Sequence, residues 1–239
     1  MVGNLYDFHS HILPGMDDGY PDTESAIQAL KLSYAQGVRY IVATPHYYCE
    51  EPVERFLRRR NDAMARLTDA MEKDGGPFPE ICPGAEVAYY PNISFSEELR
   101  RLCIGNSDYL LLELPVRTWG IEVFRDVRSI CNAGEITPIL AHIDRYIPIQ
   151  SKEMMAQMLR LELRLQLGAE SVLERRSRRV AKKLIRENPA ILLGSDCHNL
   201  EDRPPNMGDA VDLLCKKRLA YVVAHSMALS KEIWNEAVG

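Results

Sequence analysis

The sequence predicts an α/β protein built on a parallel sheet that is closed or nearly closed. Seven short apolar segments with strand character alternate along the chain with helical segments, which is the pattern of repeated βα units. Ionisable residues directly follow several of these strands, and parallel strands end on a common edge. No linker rich in Gly, Pro or Ser divides the 239 residues, so we predict a single domain over residues 1–239.

The predicted strands are short runs that end in a turn or a polar cluster. They cover Leu5–Ser10, Arg39–Thr44, a short piece near Glu80–Cys82, Tyr109–Leu114, Thr137–His142, Leu161–Leu167 and Ala190–Gly194. Tyr109–Leu114 is almost wholly apolar and predicts a buried strand closed by Pro115. Leu161–Leu167 alternates charged and apolar residues, which predicts a strand with one more solvent-exposed face.

Helices are predicted between the strands from apolar residues at helical spacing and from capping residues. Asp22 caps the first helix, which runs to about Gln36 and stops at Gly37. Further helices cover about Val53–Met71, Ile121–Ala133, Ser171–Glu187, Asn206–Arg218 and Ser230–Ala237, with a loop and a short helix over Pro91–Arg101. The arginine runs on two of these helices are interpreted as solvated faces.

Composition and charge narrow the classes of function. With 46% hydrophobic and 26% charged residues the chain can bury a core, and its net charge of -5 disfavours a nucleic-acid partner. Neither a signal peptide nor an apolar run long enough to span a membrane is evident, so we expect no membrane insertion. Six scattered cysteines without a CxxC pair indicate reduced thiols and a cytoplasmic location.

The segment DFHSHILPGMDDG, residues 7–19, predicts the start of a metal site. His9 and His11 are two positions apart, so an extended strand places both imidazoles on the same face. The Pro-Gly turn that follows lets the chain fold back, so that a carboxylate of Asp17 or Asp18 faces them. Two imidazoles and a carboxylate at a rigid strand end are typical ligands of a divalent transition metal.

Other ionisable residues follow the remaining strands, and five of the six histidines are among them. The candidate metal ligands are His9, His11, Asp18, His46, Glu86, Glu113, His142, Asp196 and His198. Barrel enzymes build their sites at this carboxyl-terminal rim. Nine ligands suit two or three ions, and the mixture of imidazole and carboxylate favours manganese, iron or zinc over calcium or magnesium alone.

Such a centre indicates hydrolysis of a phosphoester. A carboxylate such as Glu86 can bridge two ions, which together generate hydroxide at neutral pH and neutralise charge developing on a phosphoryl group. Arginine recognises the remaining phosphate oxygens through paired N–H groups. Arg145 and Arg203 lie just past predicted ligand strands, and we predict catalytic, phosphate-binding roles for both.

Together these motifs resemble the PHP (polymerase and histidinol phosphatase) superfamily and, within it, bacterial manganese-dependent protein-tyrosine phosphatases of the CpsB/CapC/YwqE type. The resemblance runs from Asp7 to about Leu214 and rests on HSHILPGMDDG, VATPHYY, PGAEV, LLLELP, AHIDRY and GSDCHNLEDRPP. It implies a distorted seven-stranded (β/α) barrel of the PHP type with a trinuclear centre, for which manganese is the expected ion. The ligands of the family match all nine candidates, and its phosphate-contacting arginines match Arg145 and Arg203.

The resemblance also implies a function, the dephosphorylation of phosphotyrosine on a bacterial tyrosine autokinase that controls capsule or exopolysaccharide synthesis. Aromatic side chains near the rim are candidates to stack on the phenyl ring of such a substrate. They are Tyr47, Tyr48, Tyr89 and Tyr90. The sequence does not fix the ion, the exact protein substrate or the oligomeric state.

The chain departs from the family pattern at two places. Ile143-Asp144 stands where Pro-Glu is usual, directly before Arg145. This difference affects the shape of the loop and therefore the direction in which the Arg145 side chain points. Cys197 stands where alanine is usual, between Asp196 and His198. The middle residue of three at a strand end points away from its neighbours, so we expect Cys197 to pack rather than to bind metal.

Three alternative functions stay open. The first is a small-molecule phosphatase, for example of histidinol phosphate, or a PHP nuclease. The second is a catalytically silent regulator that binds the kinase. The third is a cysteine phosphatase, because Cys49 and Cys197 each begin a C-x5-R match; acidic residues within both segments disfavour it, since they would repel phosphate.

Overall fold

The computed structural model describes residues 4–188 and 190–239 and confirms an α/β architecture with parallel strands. The described strands are β1 (Leu5–Ser10), β2 (Val38–Ala43), β3 (His46–Tyr47), β4 (Glu80–Pro83), β5 (Glu86–Ala88), β6 (Tyr109–Glu113), β7 (Thr137–Leu140), β8 (Arg164–Gly168) and β9 (Leu192–Gly194). One sheet has the order β1-β2-β4 and a second has the order β3-β5-β6-β7-β8-β9. Every pair of neighbouring strands is parallel.

Helices connect most of these strands. They are α1 (Thr23–Ala35), α2 (Val53–Asp74), α3 (Ile121–Ala133), α4 (Lys152–Met158), α5 (Ala169–Leu173), α6 (Arg178–Glu187), α7 (Met207–Lys216) and α8 (Ala220–Val238). The predicted cap of α1 is confirmed, because the Asp22 carboxylate accepts a hydrogen bond of 2.8 Å from the backbone N–H of Ser25. Within the two described ranges, no helix has both the length and the apolar character needed to cross a membrane.

A single seven-stranded barrel is not confirmed, because the strands fall into two sheets and two unpredicted short strands, β3 and β5, follow the predicted second and third strands. Pro45, which has no N–H to donate to a ladder, separates β2 from β3. Gly84 and Ala85 separate β4 from β5. Backbone hydrogen bonds still cross the interruption, from Gly84 to the carbonyl of Ala43 (2.8 Å) and from Glu86 to the carbonyl of Pro45 (3.1 Å). The short strands β3 and β5 therefore belong to the second sheet, although they continue strands of the first.

The two sheets also meet where β1 and β9 end. Ser10 and Cys197 form an isolated parallel bridge. The backbone N–H of His11 donates to the carbonyl of Cys197 (3.1 Å), and that of Asp196 donates to the carbonyl of His9 (2.7 Å). These bonds bring the first and last ligand motifs of the sequence side by side.

The prediction of one helix over Ser171–Glu187 is wrong, because the structure has two helices, α5 and α6. The side chain of Arg178, at the start of α6, donates to the backbone carbonyls of Val172 and Leu173 at the end of α5. A cationic side chain that satisfies the last carbonyls of a helix stabilises its end. The chain therefore turns here instead of continuing as one helix.

The last helix is longer than predicted, since α8 begins at Ala220 rather than Ser230. Ser226 and Ser230 are fully buried on its packed face, and these polar residues hide the apolar spacing in the sequence. The short helix α4 is not among the predicted elements.

A compact apolar cluster joins α8 to the strands. Tyr6, Phe8 and Leu111 are buried there with Trp234 of α8. The Trp234 ring lies edge-on to Tyr6, with ring centroids 6.2 Å apart, and 5.0 Å from the ring of Tyr40. A larger apolar cluster packs the remaining helices against the strands. Helix α8 thus supports β1, the strand that carries the first ligand motif.

Trp234→Ala tests this support. The indole is only 4% exposed, so its removal leaves a cavity beneath β1, and we expect the free energy of unfolding to fall by about 3–5 kcal/mol. Urea denaturation followed by circular dichroism measures the change. Val238→Ala is the control, because Val238 is 54% exposed on the same helix. Its replacement should lower the free energy of unfolding by less than about 0.5 kcal/mol. Wild-type stability in Trp234→Ala would contradict the packing role of α8.

Candidate metal centre

The structure brings all nine candidate ligands together at one edge of the sheets. They lie at or just beyond the carboxyl ends of β1, β2, β4, β6, β7 and β9. Contacts of 3.6 Å or less between imidazole nitrogens and carboxylate oxygens connect them into one cluster. Residues spread over most of the sequence therefore share one site.

Glu86 occupies the middle of this cluster and is buried. One carboxylate oxygen, Oε2, lies 3.1 Å from Nε2 of His9, 3.2 Å from Nε2 of His11 and 3.1 Å from Nδ1 of His46. The other oxygen, Oε1, lies 3.1 Å from Nε2 of His142. Burial alone raises the pKa of Glu86, but the surrounding imidazoles outweigh it and hold that pKa well below its ordinary value. Glu86 is therefore an ionised carboxylate whose two oxygens face different imidazoles.

Asp196 forms a second link in the cluster. Its Oδ1 lies 3.4 Å from Nε2 of both His9 and His11. Its Oδ2 accepts a hydrogen bond of 2.5 Å from the guanidinium group of Arg145 and forms an ion pair of 2.5 Å with that of Arg203. Burial raises the pKa of Asp196, yet the imidazoles of His9 and His11 lower it far below its ordinary value. One carboxylate thus faces the imidazoles on one side and both predicted phosphate-binding arginines on the other.

The open side of the cluster carries the remaining acids. Oδ1 of Asp18 lies 3.4 Å from Nε2 of His198 and 3.6 Å from Nε2 of His46, and the Asp18 side chain is 68% exposed. Oε1 of Glu113 lies 3.3 Å from Nε2 of His142. Three groups have ligand atoms close enough to share an ion: His11, Asp18, His46 and His198; His9, His11 and Asp196; and His46, Glu86 and Glu113.

The spacing of these atoms fits bound divalent ions. Two ligand atoms that each lie about 2.1 Å from one ion, at angles between 90° and 109°, are about 3.0–3.4 Å apart. Most contacts around Glu86 and Asp196 fall in this interval. In addition, Nδ1 of His46 and Nε2 of His198 are buried and form no hydrogen bond of good geometry, although carboxylate oxygens of Glu86 and Asp18 lie 3.1 and 3.4 Å away. Buried nitrogens without a hydrogen bond are costly, and coordination to a metal would satisfy both.

Three of the imidazoles are oriented by hydrogen bonds at Nδ1, the ring nitrogen that they do not direct into the cluster. Nδ1 of His11 donates to the carboxylate of Asp17 (2.7 Å), and Nδ1 of His198 donates to a backbone carbonyl (2.9 Å). Nδ1 of His9 donates to Oε1 of Gln166 (3.1 Å). A proton held on Nδ1 leaves the lone pair of Nε2 free, which is the form that binds metal. His11 also sets the charge of its partner: burial raises the pKa of Asp17, but the bond from His11 lowers it to about 2.

Gln166 was not identifiable from the sequence as part of this site. The alternation in Leu161–Leu167 predicts a wetter face, which is wrong for Gln166, because this side chain is fully buried. Its Oε1 accepts a second hydrogen bond, of 2.6 Å, from the backbone N–H of His142. Gln166 thus connects His9 on β1 to His142 beyond β7. The sequence places Asp17 or Asp18 opposite the two histidines, and the structure separates their roles, because Asp17 accepts a hydrogen bond from Nδ1 of His11 whereas Asp18 faces His46 and His198.

Two of the candidate ligands have a strained backbone. His142 and Asp196 have φ values of 31° and 54°, in the left-handed region that residues other than glycine rarely adopt. Such strain persists only where the surrounding contacts impose it, and it concentrates at functional sites. Here the contacts to Glu86 and to the arginines hold both residues in place.

Neither cysteine of the two C-x5-R matches is placed to attack a phosphate. Cys197 is buried beside the hydroxyl of Ser10 (3.7 Å), and burial raises the pKa of its thiol. Cys49 is exposed, and Arg55 of the same match pairs with Glu51 (3.5 Å). A nucleophilic cysteine needs a lowered pKa and a basic surrounding. The thiol of Cys197 has a raised pKa instead, and the arginine that would serve Cys49 is paired with an acid.

One known protein family matches most of this chain. The family model for capsular polysaccharide synthesis, CpsB/CapC, matches residues 5–229. The chain belongs to the CpsB/CapC family.

Two relatives of this CpsB/CapC chain align with it over most of both sequences. Tyrosine-protein phosphatase CpsB from Streptococcus pneumoniae is 28% identical over 230 residues, which cover 89% of this chain and 90% of the relative. Tyrosine-protein phosphatase YwqE from Bacillus subtilis is 26% identical over 240 residues, covering 94% and 91%. A crystal structure from a study of YwqE and of S. pneumoniae CpsB matches with a TM-score of 0.82 at 22% identity, covering 97% of this chain and 95% of that chain. The structural match shows a shared fold.

The departure from the CpsB/CapC pattern before Arg145 does not turn this arginine away from the cluster. Residues Ile143–Arg145 form a short 3-10 helix, in which Ile143 is fully buried. Asp144 accepts a hydrogen bond of 3.2 Å from the backbone N–H of Gly168. The burial of Ile143 and the hydrogen bond of Asp144 thus hold this loop in place, and the guanidinium of Arg145 reaches Asp196.

Gln166→Leu tests the orienting bond to His9. Leucine fills a similar volume but accepts no hydrogen bond, so the His9 ring loses its fixed orientation, and we expect affinity for Mn²⁺ or Zn²⁺ to fall by about 10–100-fold. Competition with a chromogenic chelator measures this affinity. Gln28→Leu, at an exposed position of α1, is the control and should bind like the wild type. Unchanged affinity in a folded Gln166→Leu would show that Gln166 does not position His9.

The pKa of His142 predicts how the metal-free protein responds to pH. Burial lowers this pKa, but hydrogen bonds to Glu113 and Glu86 outweigh it and raise it from 6.5 to about 9. A raised histidine pKa contributes stability that is present below pH 6.5 and is lost as the pH rises through 9. At about 1.4 kcal/mol per pKa unit, this contribution is on the order of 3 kcal/mol.

Chelator-treated protein should therefore be less stable towards urea at pH 9 than at pH 6.5. Metal affinity should change in the opposite direction, because ions bind the neutral imidazole and its population grows with pH. Urea titrations of the metal-free protein at both pH values, beside metal titrations, measure the two trends. A metal-free protein that becomes more stable towards pH 9 would contradict the protonated state of His142.

Proposed function

We propose that this chain is a metal-dependent protein-tyrosine phosphatase that acts on a bacterial tyrosine kinase regulating capsule or exopolysaccharide synthesis. The observation that carries the proposal is the buried Glu86 carboxylate among four imidazoles, next to two arginines that converge on Asp196. The names of the relatives from Streptococcus pneumoniae and Bacillus subtilis, both tyrosine-protein phosphatases, support the choice of substrate.

The nine candidate ligands would hold two or three divalent ions, with manganese as the preferred ion and iron or zinc as alternatives. When bound, the ions supply a water of lowered pKa and neutralise phosphate charge. The protein's own contribution is to fix the ligands and to orient the phosphate.

Arg145 and Arg203 are proposed to bind the phosphate oxygens that the ions leave free. Their side chains are 39% and 31% exposed, so both reach from the cluster to solvent, the side from which a substrate approaches. The bonds to Asp196 hold both guanidinium groups in one orientation before substrate arrives, which lowers the cost of ordering them on binding. Paired arginines with fixed orientation suit the planar, multidentate recognition of a phosphate.

We also propose that the two sheets form one distorted seven-stranded barrel within a single domain of residues 1–239. Treating β2 with β3 and β4 with β5 as interrupted strands gives seven positions, and the bridge between Ser10 and Cys197 joins the first position to the last. A cytoplasmic location fits such an enzyme, because a kinase that phosphorylates with ATP exposes its phosphotyrosine there.

A substrate panel tests the proposed function. Protein loaded with Mn²⁺ should hydrolyse a phosphotyrosine peptide faster than a phosphoserine peptide or histidinol phosphate, and a chelator but not a thiol alkylator should abolish the activity. Arg145→Ala should lower kcat/KM for the phosphotyrosine peptide by about 10–100-fold, the value of a hydrogen bond to a charged group. Phosphate release measures each rate.

Arg55→Ala is the matched control, since Arg55 is exposed and belongs to a C-x5-R match; its activity should equal that of the wild type. A preference for histidinol phosphate would favour a small-molecule phosphatase. No turnover of any phosphomonoester would favour a silent regulator that binds the kinase.

A further inference from the structure

The structure separates the four rim tyrosines that are candidates to contact a substrate ring. Tyr47 is 4% exposed and packs against Phe56, with ring centroids 5.2 Å apart. Tyr89 donates a hydrogen bond of 2.8 Å from its hydroxyl to Asp126, and Tyr90 packs partly buried against the larger apolar cluster. These three side chains are already engaged within the fold.

Tyr48 differs from the other three because its ring is accessible beside the candidate metal centre. It directly follows β3, and 51% of its surface is exposed. Its ring centroid lies 5.5 Å from that of His46, whose Nδ1 is 3.1 Å from the central carboxylate of Glu86. An aromatic face thus borders the place where a phosphate would bind.

Other exposed apolar side chains lie beyond the neighbouring strands. Phe95 follows β5 and is 81% exposed, and Val116 follows β6 and is 54% exposed. The strands β3, β5 and β6 are consecutive in the second sheet. Single exposed apolar residues are ordinary, but these three lie on segments that follow adjacent strands of one sheet.

We propose that Tyr48 is a specificity-determining residue that stacks on the aryl ring of the substrate, and that Phe95 and Val116 extend this apolar surface towards the residues flanking it. The proposal rests on the proposed function. The ions and arginines bind only the phosphate group, which aryl and alkyl phosphates share. A ring placed against Tyr48 gains the stacking energy that an alkyl phosphate lacks.

Phosphonates separate ring recognition from catalysis, because the enzyme cannot hydrolyse them. We expect the Mn²⁺-loaded wild type to bind phenylphosphonate more tightly than methylphosphonate in isothermal titration calorimetry. Tyr48→Ala should lower the affinity for phenylphosphonate about two- to tenfold, the range that aromatic stacking supplies. The affinity for methylphosphonate should stay unchanged. Tyr48→Phe keeps the ring and should retain the preference.

Tyr221→Ala is the matched control, since Tyr221 is 48% exposed on α8 and is not at this edge; it should bind both phosphonates like the wild type. Elemental analysis of each variant reports its metal content. Equal weakening of both phosphonates in Tyr48→Ala, or no preference for phenylphosphonate in the wild type, would overturn the proposal. A retained phenyl preference without turnover of any phosphate would instead refute the phosphatase function and leave the ring-binding role standing.

Discussion

The structure depends on the compensation of buried negative charge at the carboxyl ends of the strands. Glu86 and Asp196 are almost fully removed from water, where an ionised carboxylate is stable only if cations or hydrogen-bond donors surround it. Imidazoles supply that surrounding when they are protonated, at 3.1–3.4 Å from both carboxylates, and divalent ions bound to neutral imidazoles would supply it in their place. Loss of one partner would leave an uncompensated buried charge, so these side chains tie together strands that are distant in sequence.

This electrostatic requirement accounts for irregular features of the sheets. His46 and Glu86 are ladder partners across β3 and β5, the short strands that restart after Pro45 and after the Gly84-Ala85 interruption. The break in each strand places a ligand at the first residue of the new one. At the opposite junction, the backbone bonds between His9 and Asp196 hold the first and last motifs in register. The regular hydrogen-bond ladders of the strands are thus interrupted at the places where the candidate ligands come together.

The sequence predicted which candidate ligands lie together, because residue type and position agreed. A histidine or acid at the end of a predicted strand carries two independent signals, and all nine such residues lie in one cluster. Gln166 carried neither signal, since a glutamine in an alternating strand indicates a solvated face until its neighbours in space are known. Similarly, buried Ser226 and Ser230 concealed the start of α8, and the short strands β3 and β5 beyond Pro45 and Ala85 were not predicted. Each of these features depends on contacts between distant segments, which local patterns do not report.

The chemistry of the centre leaves substrate choice to its surroundings. In the proposed function, bound ions and the two arginines would act on the phosphate, and a phosphate is the same group on tyrosine, serine or a small alcohol. Discrimination requires contacts with the rest of the substrate, and it is largest where those contacts differ in the transition state. Such contacts would have to come from the segments that follow the strands, because the strand ends themselves carry the candidate ligands. Under the proposed function, the side chains on the segments beyond β3, β5 and β6 would therefore decide which phosphate ester fits.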